Sequence, residues 1–144
     1  MKEEGFTLIE VLFVLAVSAI ISTMAGLNFA AMVVKSQGQA VTTELAAELR
    51  YARQLAISRR ERIRVVVDME HTVLRTERAD VPGSVLKVCD LSGKGTIVER
   101  LSGGPSIVFH PSGRSATATT ITLRDGNQHA RTLTVSFAGK VSVS

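Results

Sequence analysis

A run of 24 residues without a charge, from Val11 to Val34, constrains this chain more than any other feature of its sequence. A helix of that length spans roughly 36 Å, and a membrane hydrocarbon core is about 30 Å thick. The few polar residues in the run have small side chains, which can bond back to the helix or to a neighbouring helix; they are Ser18, Ser22, Thr23 and Asn28. The run therefore predicts one transmembrane helix.

A cleavable secretory signal fits this run poorly. Such a signal has a basic front and an apolar segment of about 7–15 residues, followed by a cleavage site of small residues. Here Lys2 stands beside Glu3 and Glu4, and the apolar sequence continues well past Ala25-Gly26. Two alternatives fit better: a transmembrane span that is retained, or cleavage of a short leader before the apolar run begins.

The helical pattern continues beyond the apolar run. No proline occurs between positions 6 and 58, and apolar residues recur at spacings of four and three, which marks one helix face; they are Val41, Leu45, Leu49, Ala52 and Ala56. Gly26 and Gly38 each weaken the helix by about 1 kcal/mol relative to alanine. We predict one helix from Phe6 to Ser58, whose amphipathic second half, residues 35–58, packs on whatever follows.

The remainder, residues 59–144, has the alternation and the turn residues of β structure. Eight strands are predicted, at 63–67, 72–78, 85–89, 96–101, 107–109, 117–124, 131–137 and 140–143. Asp125-Gly126-Asn127 is a strong hairpin signal between two of them. Strands spaced this closely predict an antiparallel sheet, and the apolar stripe of the helix can cover it. The expected fold class is α+β.

The charge balance and the reactive residues limit the chemistry. From Lys35 onward there are 16 Lys and Arg against 10 Asp and Glu, a net charge of +6. Such an excess is ordinarily a solvated surface, but it permits attraction to nucleic acid or anionic lipid. Cys89 is the single cysteine, so an intrachain disulfide is excluded. We interpret it as a small buried apolar residue.

No catalytic or metal-binding pattern stands out. The three histidines lack metal-ligand spacing, and no Ser/His/Asp or Cys/His grouping is present. Gly93-Lys94-Gly95-Thr96 lacks the earlier glycine and the following helix of a phosphate loop. We expect no enzyme activity, no metal and no cofactor. The basic cluster at 59–64 has two interpretations, a solvated helix end favoured by the helix dipole, or a contact to an acidic neighbour.

The stretch Gly5-Phe6-Thr7-Leu8-Ile9-Glu10, followed at once by the long apolar helix, resembles the class III signal of type IV pilins and pseudopilins. The resemblance implies that residues 1–5 are a leader peptide and that a prepilin peptidase cleaves between Gly5 and Phe6. It also implies that the same enzyme N-methylates Phe6. Residues 6–34 are then expected to form a transmembrane and filament-core helix.

Glu10 gains a role from this resemblance. A charge in hydrocarbon costs several kcal/mol unless it is paired, and cleavage creates an amine on Phe6 at the same depth. Glu10 can pair with that amine within one helix or between two staggered subunits. The resemblance favours the second arrangement, in which the pairing recruits a new subunit. The alternative is a glutamate that only snorkels to the interface.

The C-terminal third carries a second resemblance. Phe109, Pro111 and Gly113 form an F-x-P-x-G turn, Ile121-Thr122-Leu123 a strand, and Gly139-Lys140 stands where Gly-Arg is common. Together these features resemble the GspH/FimT branch of the pilin superfamily. This resemblance implies a minor pseudopilin or minor pilin of a type II secretion pseudopilus or a type IV pilus. The anchor is then expected in the bacterial inner membrane, with residues 59–144 in the periplasm.

The same resemblance implies which partners to expect. They are other pilins and pseudopilins, a prepilin peptidase, an inner-membrane assembly platform and membrane lipid. A second hypothesis is a FimT-like minor pilin that binds DNA through basic C-terminal residues; the candidates are Arg114, Arg124, Arg131 and Lys140. Against it, Phe137 is the one aromatic residue near them, so base stacking has little support. A membrane-anchored enzyme is the third hypothesis, and no motif supports it.

Overall fold

The computed structural model describes residues 7–144, without the side chains at positions 24–28, 30 and 31. Within this range the chain forms one helix and eight strands, in an α+β arrangement. The elements are α1 (Leu8–Arg59), β1 (Ile63–Asp68), β2 (Val73–Arg78), β3 (Val85–Asp90), β4 (Thr96–Leu101), β5 (Ser106–Phe109), β6 (Thr119–Asp125), β7 (Ala130–Val135) and β8 (Val141–Val143). The chain divides into two compact units, the second being Val34–Ser144.

The strands of the second unit form two four-stranded antiparallel sheets, not one. The first sheet has the order β3-β2-β1-β5 and the second the order β4-β6-β7-β8. The loop after β3 takes the chain from one sheet to the other, and β5 returns to pair with β1, where Phe109 lies opposite Ile63. The expectation of antiparallel pairing is confirmed, whereas the division into two sheets did not follow from the sequence.

The core of this unit lies between the helix and the inward faces of the strands. Every second residue of β1 is buried, namely Ile63, Val65 and Val67. The predicted helix stripe is confirmed, since all five of its residues are fully buried. Burying each leucine of the stripe stabilises the fold by about 1.5–3 kcal/mol. The apolar stripe therefore holds the second half of α1 on the sheets.

Charged side chains on the two flanks of the apolar stripe bond to the rest of the domain and so determine which face of the helix points towards the sheets. On one flank, Glu48 and Glu44 pair with Lys87 of β3 and with Lys94 of the following loop. On the other flank, Arg50 and Arg53 donate to backbone carbonyls of the second sheet and of the turn after β5. The helix ends at Arg59, one residue beyond the predicted end. Arg60 then has a φ of 55°, the left-handed conformation common after helices.

Several strand ends differ from the prediction. Asp125 is the buried last residue of β6 and not part of the loop. Its carboxylate accepts the backbone N–H groups of Asn127 and His129, which fixes the hairpin around it. Phe137 and Lys140 lie in a turn between β7 and β8, closed by a hydrogen bond from the N–H of Gly139 to the carbonyl of Ser136. Polar side chains and glycine geometry, rather than residue alternation, decide these ends.

Candidate assembly site

The described part of helix α1 begins at Leu8, with Thr7 as its N-cap. The backbone N–H of Glu10 donates to the Thr7 carbonyl at 3.1 Å and lies 3.4 Å from its hydroxyl oxygen. Thr7 and Glu10 have the spacing of a capping box, a threonine followed three residues later by a glutamate. This spacing is a sequence signal for a helix N-terminus at Thr7.

Glu10 lies exposed in the first helical turn. A carboxylate there interacts favourably with the positive end of the helix dipole. Gly5 and Phe6, which carry the predicted cleavage and methylation, lie outside the described residues, so their roles stay predictions.

Around Glu10 the first unit exposes apolar side chains in all directions. Leu8, Ile9 and Phe13 are 81%, 77% and 70% exposed. A helix that is apolar all round is normally covered by lipid or by other protein. Ser22 and Thr23 donate their hydroxyl groups to carbonyls one turn earlier in the helix. Because these hydroxyls are satisfied internally, they do not oppose such a covering.

In the part of the chain that the structure describes, no helical segment is both long enough and apolar enough to cross a membrane.

The four basic residues proposed for DNA contact do not form one patch. Arg124 and Arg131 lie at the hairpin end of β6 and β7, whereas Arg114 and Lys140 lie in turns at the other end of these strands. Seven strand residues separate the two ends by about 20 Å. The structure therefore does not bring all four candidates together, because the length of β6 and β7 lies between the two pairs.

The two arginines at the hairpin end, Arg124 and Arg131, also point to opposite faces of the sheet. Arg131 lies opposite buried Leu123 and donates to the Lys35 carbonyl of the helix at 3.3 Å. Arg124 points to the other face, where its guanidinium pairs with Glu99 at 2.7 Å. Both side chains already have partners within the domain, which leaves less positive charge for a phosphate backbone.

At the other end, two glycine turns stack on the helix. A Cβ atom on Gly139 would collide with the carbonyl oxygen of Gly113 and would lie 2.8 Å from Nε of Arg53. Arg53 donates to that same carbonyl at 2.9 Å. Gly113 and Gly139 have φ angles of 78° and 74°, so glycine is needed at both positions. These are the glycines of the F-x-P-x-G turn and of the last turn.

The basic cluster after the helix is largely neutralised within the domain. Arg62 pairs with Asp80, Arg64 with Glu77, and Glu61 with Arg78. Arg59 and Arg60 remain exposed, as the solvated-end interpretation expects.

Cys89 is only half-buried, with its sulfur 4.0 Å from Oε1 of Glu44. The interpretation as a small buried apolar residue holds in part: Cys89 packs against the core but stays partly accessible, because β3 is an edge strand.

Metal binding finds no support in the described side chains, which contain no group of three or more His, Cys, Asp or Glu placed to hold an ion.

Comparison with known proteins places these features in a family. Residues 41–139 match the family model of type II transport protein GspH, and residues 1–26 match the prokaryotic N-terminal methylation motif. The chain belongs to the GspH family. This membership confirms the resemblance drawn from the two ends of the sequence.

Solved structures share the fold of this GspH-family chain. The type IV minor pilin FimU of Pseudomonas aeruginosa is 21% identical, with a TM-score of 0.66 over 76% of this chain and 90% of FimU. The minor pseudopilin EpsH from the type 2 secretion system of Vibrio cholerae is 15% identical, with a TM-score of 0.62 over 75% of this chain and 96% of EpsH. A comparison with curated proteins finds no significant match.

The GspH assignment confirms that this chain is a minor pilin or pseudopilin with a pilin-like fold. The DNA-binding alternative is not favoured by it. Family and motif together imply a membrane-anchored subunit that associates with other pilins or pseudopilins. The family and the fold are those of structural proteins, in agreement with the expectation of a structural role.

Proposed function

We propose that this GspH-family chain is cleaved between Gly5 and Phe6 by a prepilin peptidase and N-methylated at Phe6. It then enters a pilus or pseudopilus through the first half of α1. Residues 1–5 are the leader, residues 6–34 the membrane and filament-core helix, and residues 35–58 the helix that carries the domain. Residues 59–144 lie in the periplasm after insertion in the inner membrane. The role is structural and involves no catalysis and no cofactor.

The observation that carries this proposal is Glu10, an exposed carboxylate in the first turn of α1, where every other side chain from Leu8 to Val17 is apolar and exposed. When neighbouring apolar helices cover this surface, the carboxylate loses water and needs a positive partner. The amine of Phe6 on an adjacent subunit is that partner, so an incoming subunit is stabilised only in the register that joins the two charges. The assembly platform and membrane lipid hold the subunit before this step.

The intact mass of the chain purified from its native membrane tests the processing. We expect a chain that begins at Phe6 and carries one added methyl group. A chain that still begins at Met1, or one cut after the apolar run, would contradict the proposal because Phe6 would then have no free amine.

Glu10→Gln tests the recruitment step. The amide keeps the size of the side chain but removes the charge, so we expect normal processing and a large loss of the subunit from sheared filaments. Glu99→Gln is the matched control, because Glu99 is an exposed carboxylate of β4 that takes no part in a proposed contact between subunits. Filaments that incorporate both variants equally would exclude the recruiting role of Glu10.

A further inference from the structure

Arg50 and Arg53, in the last turns of α1, lie against the two glycine turns that carry Arg114 and Lys140; we call these four residues the basic junction. Arg53 donates to the Gly113 carbonyl at 2.9 Å, and Arg50 donates to the Val141 carbonyl at 3.2 Å. Arg114 directly follows Gly113, and Lys140 directly follows Gly139. The stacking of these two glycines therefore brings residues from three parts of the chain together.

No carboxylate neutralises the basic junction among residues 7–144. The other ion pairs of the domain engage Arg62, Arg64, Arg78, Lys87, Lys94 and Arg124, each with an Asp or Glu. Arg50 and Arg53 bond to neutral carbonyls instead, which orient a guanidinium without cancelling its charge. An oriented, uncompensated cluster of this kind favours an anionic partner.

Apolar side chains accompany these cations. Phe137, in the turn that ends at Lys140, is 58% exposed, and Ile57 of the helix is 36% exposed. Ile57 lies over the other turn, because a Cβ atom on Gly113 would be 2.9 Å from its Cδ1 atom. Exposed aromatic and apolar side chains bordered by arginines are typical of the centre of protein–protein interfaces.

The opposite end of the first sheet is acidic. Ile63 at the start of β1 lies opposite Phe109, close to the turn that carries Arg114. Asp68 is five residues further along β1, about 17 Å away, and Asp90 is on the same row of the sheet, with Val73 between them. Glu70 lies in the turn that follows β1, where the His71 ring is 3.0 Å from the Asp68 carboxylate; we call Asp68, Glu70 and Asp90 the acidic turn. One domain of this kind therefore carries complementary charges at its two ends.

We propose that the basic junction binds the acidic turn of a neighbouring pilin-like subunit, with Phe137 as its apolar anchor. This inference rests on the proposed function, because it names the contact that orders β domains after the helices have packed. A protein partner fits better than nucleic acid. Phe137 alone offers a stacking surface, and Arg124 and Arg131 lie at the other end of the domain.

A photo-cross-linking amino acid in place of Phe137 tests this contact in cells that assemble the full chain. We expect an adduct with another pilin-like subunit, joined through a peptide that contains Asp or Glu. The double substitution Arg114→Glu and Lys140→Glu should lower the adduct yield by about tenfold or more. Each substituted side chain then repels the carboxylates of the neighbouring acidic turn instead of attracting them. Both side chains are exposed, so the variant should fold normally, which its thermal unfolding will verify.

The matched control is Arg75→Glu with Arg100→Glu, which reverses two exposed charges outside the basic junction. An adduct that tolerates reversal at the junction, a joined peptide without a carboxylate, or an adduct that nuclease removes would overturn the inference.

The same cross-linker in place of Leu15 separates this inference from the proposed function. Leu15 is exposed on the first half of α1, so its adducts report helix packing. Leu15 adducts without any Phe137 adduct would overturn only the contact at the basic junction. Loss of both adducts would overturn the proposed function as well.

Discussion

Asp125 fits against helix α1 because residue 38 is glycine. A Cβ atom on Gly38 would lie 3.1 Å from the Cβ atom of Asp125 and 3.3 Å from its Oδ2 atom. Glycine within a helix costs about 1 kcal/mol relative to alanine. This cost has a structural reason here, since Gly38 admits the end of the β6–β7 hairpin to the surface of the helix.

Gly38→Val is therefore expected to destabilise the domain by about 1–3 kcal/mol, because its methyl groups need the space that Asp125 occupies. Urea unfolding of the purified full chain measures the effect. Ala47→Val is the control, since Ala47 is exposed on the same helix and reports only the lower helix propensity of valine. Equal losses for the two variants would show that Gly38 has no packing role.

Gly139→Ala should destabilise the domain more than alanine does at the other loop glycines with a positive φ. A positive φ costs a non-glycine residue about 1–3 kcal/mol, and the collision with the Gly113 carbonyl adds about 1–3 kcal/mol of overpacking. Gly83→Ala is the matched control, because its φ is 79° but nothing lies within 4 Å of its added methyl group. The difference between the unfolding free energies of the two variants measures the effect of the collision alone. We expect Gly139→Ala to lose clearly more unfolding free energy than Gly83→Ala.

Thr7→Ala should loosen the first turn of α1. The hydroxyl of Thr7 is 3.4 Å from the N–H of Glu10, which is long for a hydrogen bond. We expect the loss to lie at the low end of capping effects, about 0.5–1 kcal/mol, or two- to fivefold faster amide exchange at Glu10 and Val11. Thr7→Ser keeps the hydroxyl and should exchange like the natural chain. Unchanged exchange in Thr7→Ala would show that this hydroxyl does not cap the helix.

Asp125 should contribute to a loss of stability in acid. Burial by itself raises the pKa of its carboxyl, but the backbone N–H groups of His129 and Asn127 and the nearby His129 ring outweigh it and hold the pKa below its usual value. The unfolded chain, with an aspartate pKa of about 3.9, therefore takes up this proton first as the pH falls. Ionised Asp125 therefore stabilises the fold above the pKa of the unfolded chain. This stabilisation is lost as the pH falls through the lower pKa of the folded chain.

Asp125→Asn provides the comparison, because an amide oxygen still accepts both N–H groups but does not titrate. Thermal unfolding from neutral pH down to about pH 3 should show a steeper loss for the natural chain than for this variant. Parallel curves would assign the acid sensitivity to other carboxyls, such as Asp68 and Asp90, whose pKa values are also lowered by hydrogen bonds from neighbouring residues.

Cys89 should react slowly with iodoacetamide. Partial burial raises the pKa of its thiol, and the negative charges of Glu48 and Glu44 raise it further. Since the thiolate is the reactive form, Glu44→Gln should speed alkylation, whereas Glu70→Gln should not. Mass spectrometry gives the rate directly because the chain has one cysteine. A rate unaffected by Glu44→Gln would mean that this carboxylate does not influence the thiol.

Much of the fold could be predicted because its signals are local. The spacing of Val41, Leu45 and Leu49 predicts the buried face of the helix, and alternation places all eight strands to within a few residues. The N-terminal motif likewise needs no tertiary information, because the peptidase signal is a short contiguous sequence. Strand ends such as Asp125 were misplaced because a buried aspartate that caps its own hairpin has the same sequence signal as a loop residue.

The sequence by itself determined the elements, the apolar face of each, and the candidate processing site, since these depend on residues close together in the chain. Only the tertiary structure decided which strands pair, so that β3 and β4 belong to different sheets. It also decided that the turns carrying Arg114 and Lys140 lie against Arg53, while Arg124 is neutralised by Glu99. The physical reason is that periodicity is a property of neighbouring residues, whereas strand pairing and charge compensation depend on residues distant in the chain.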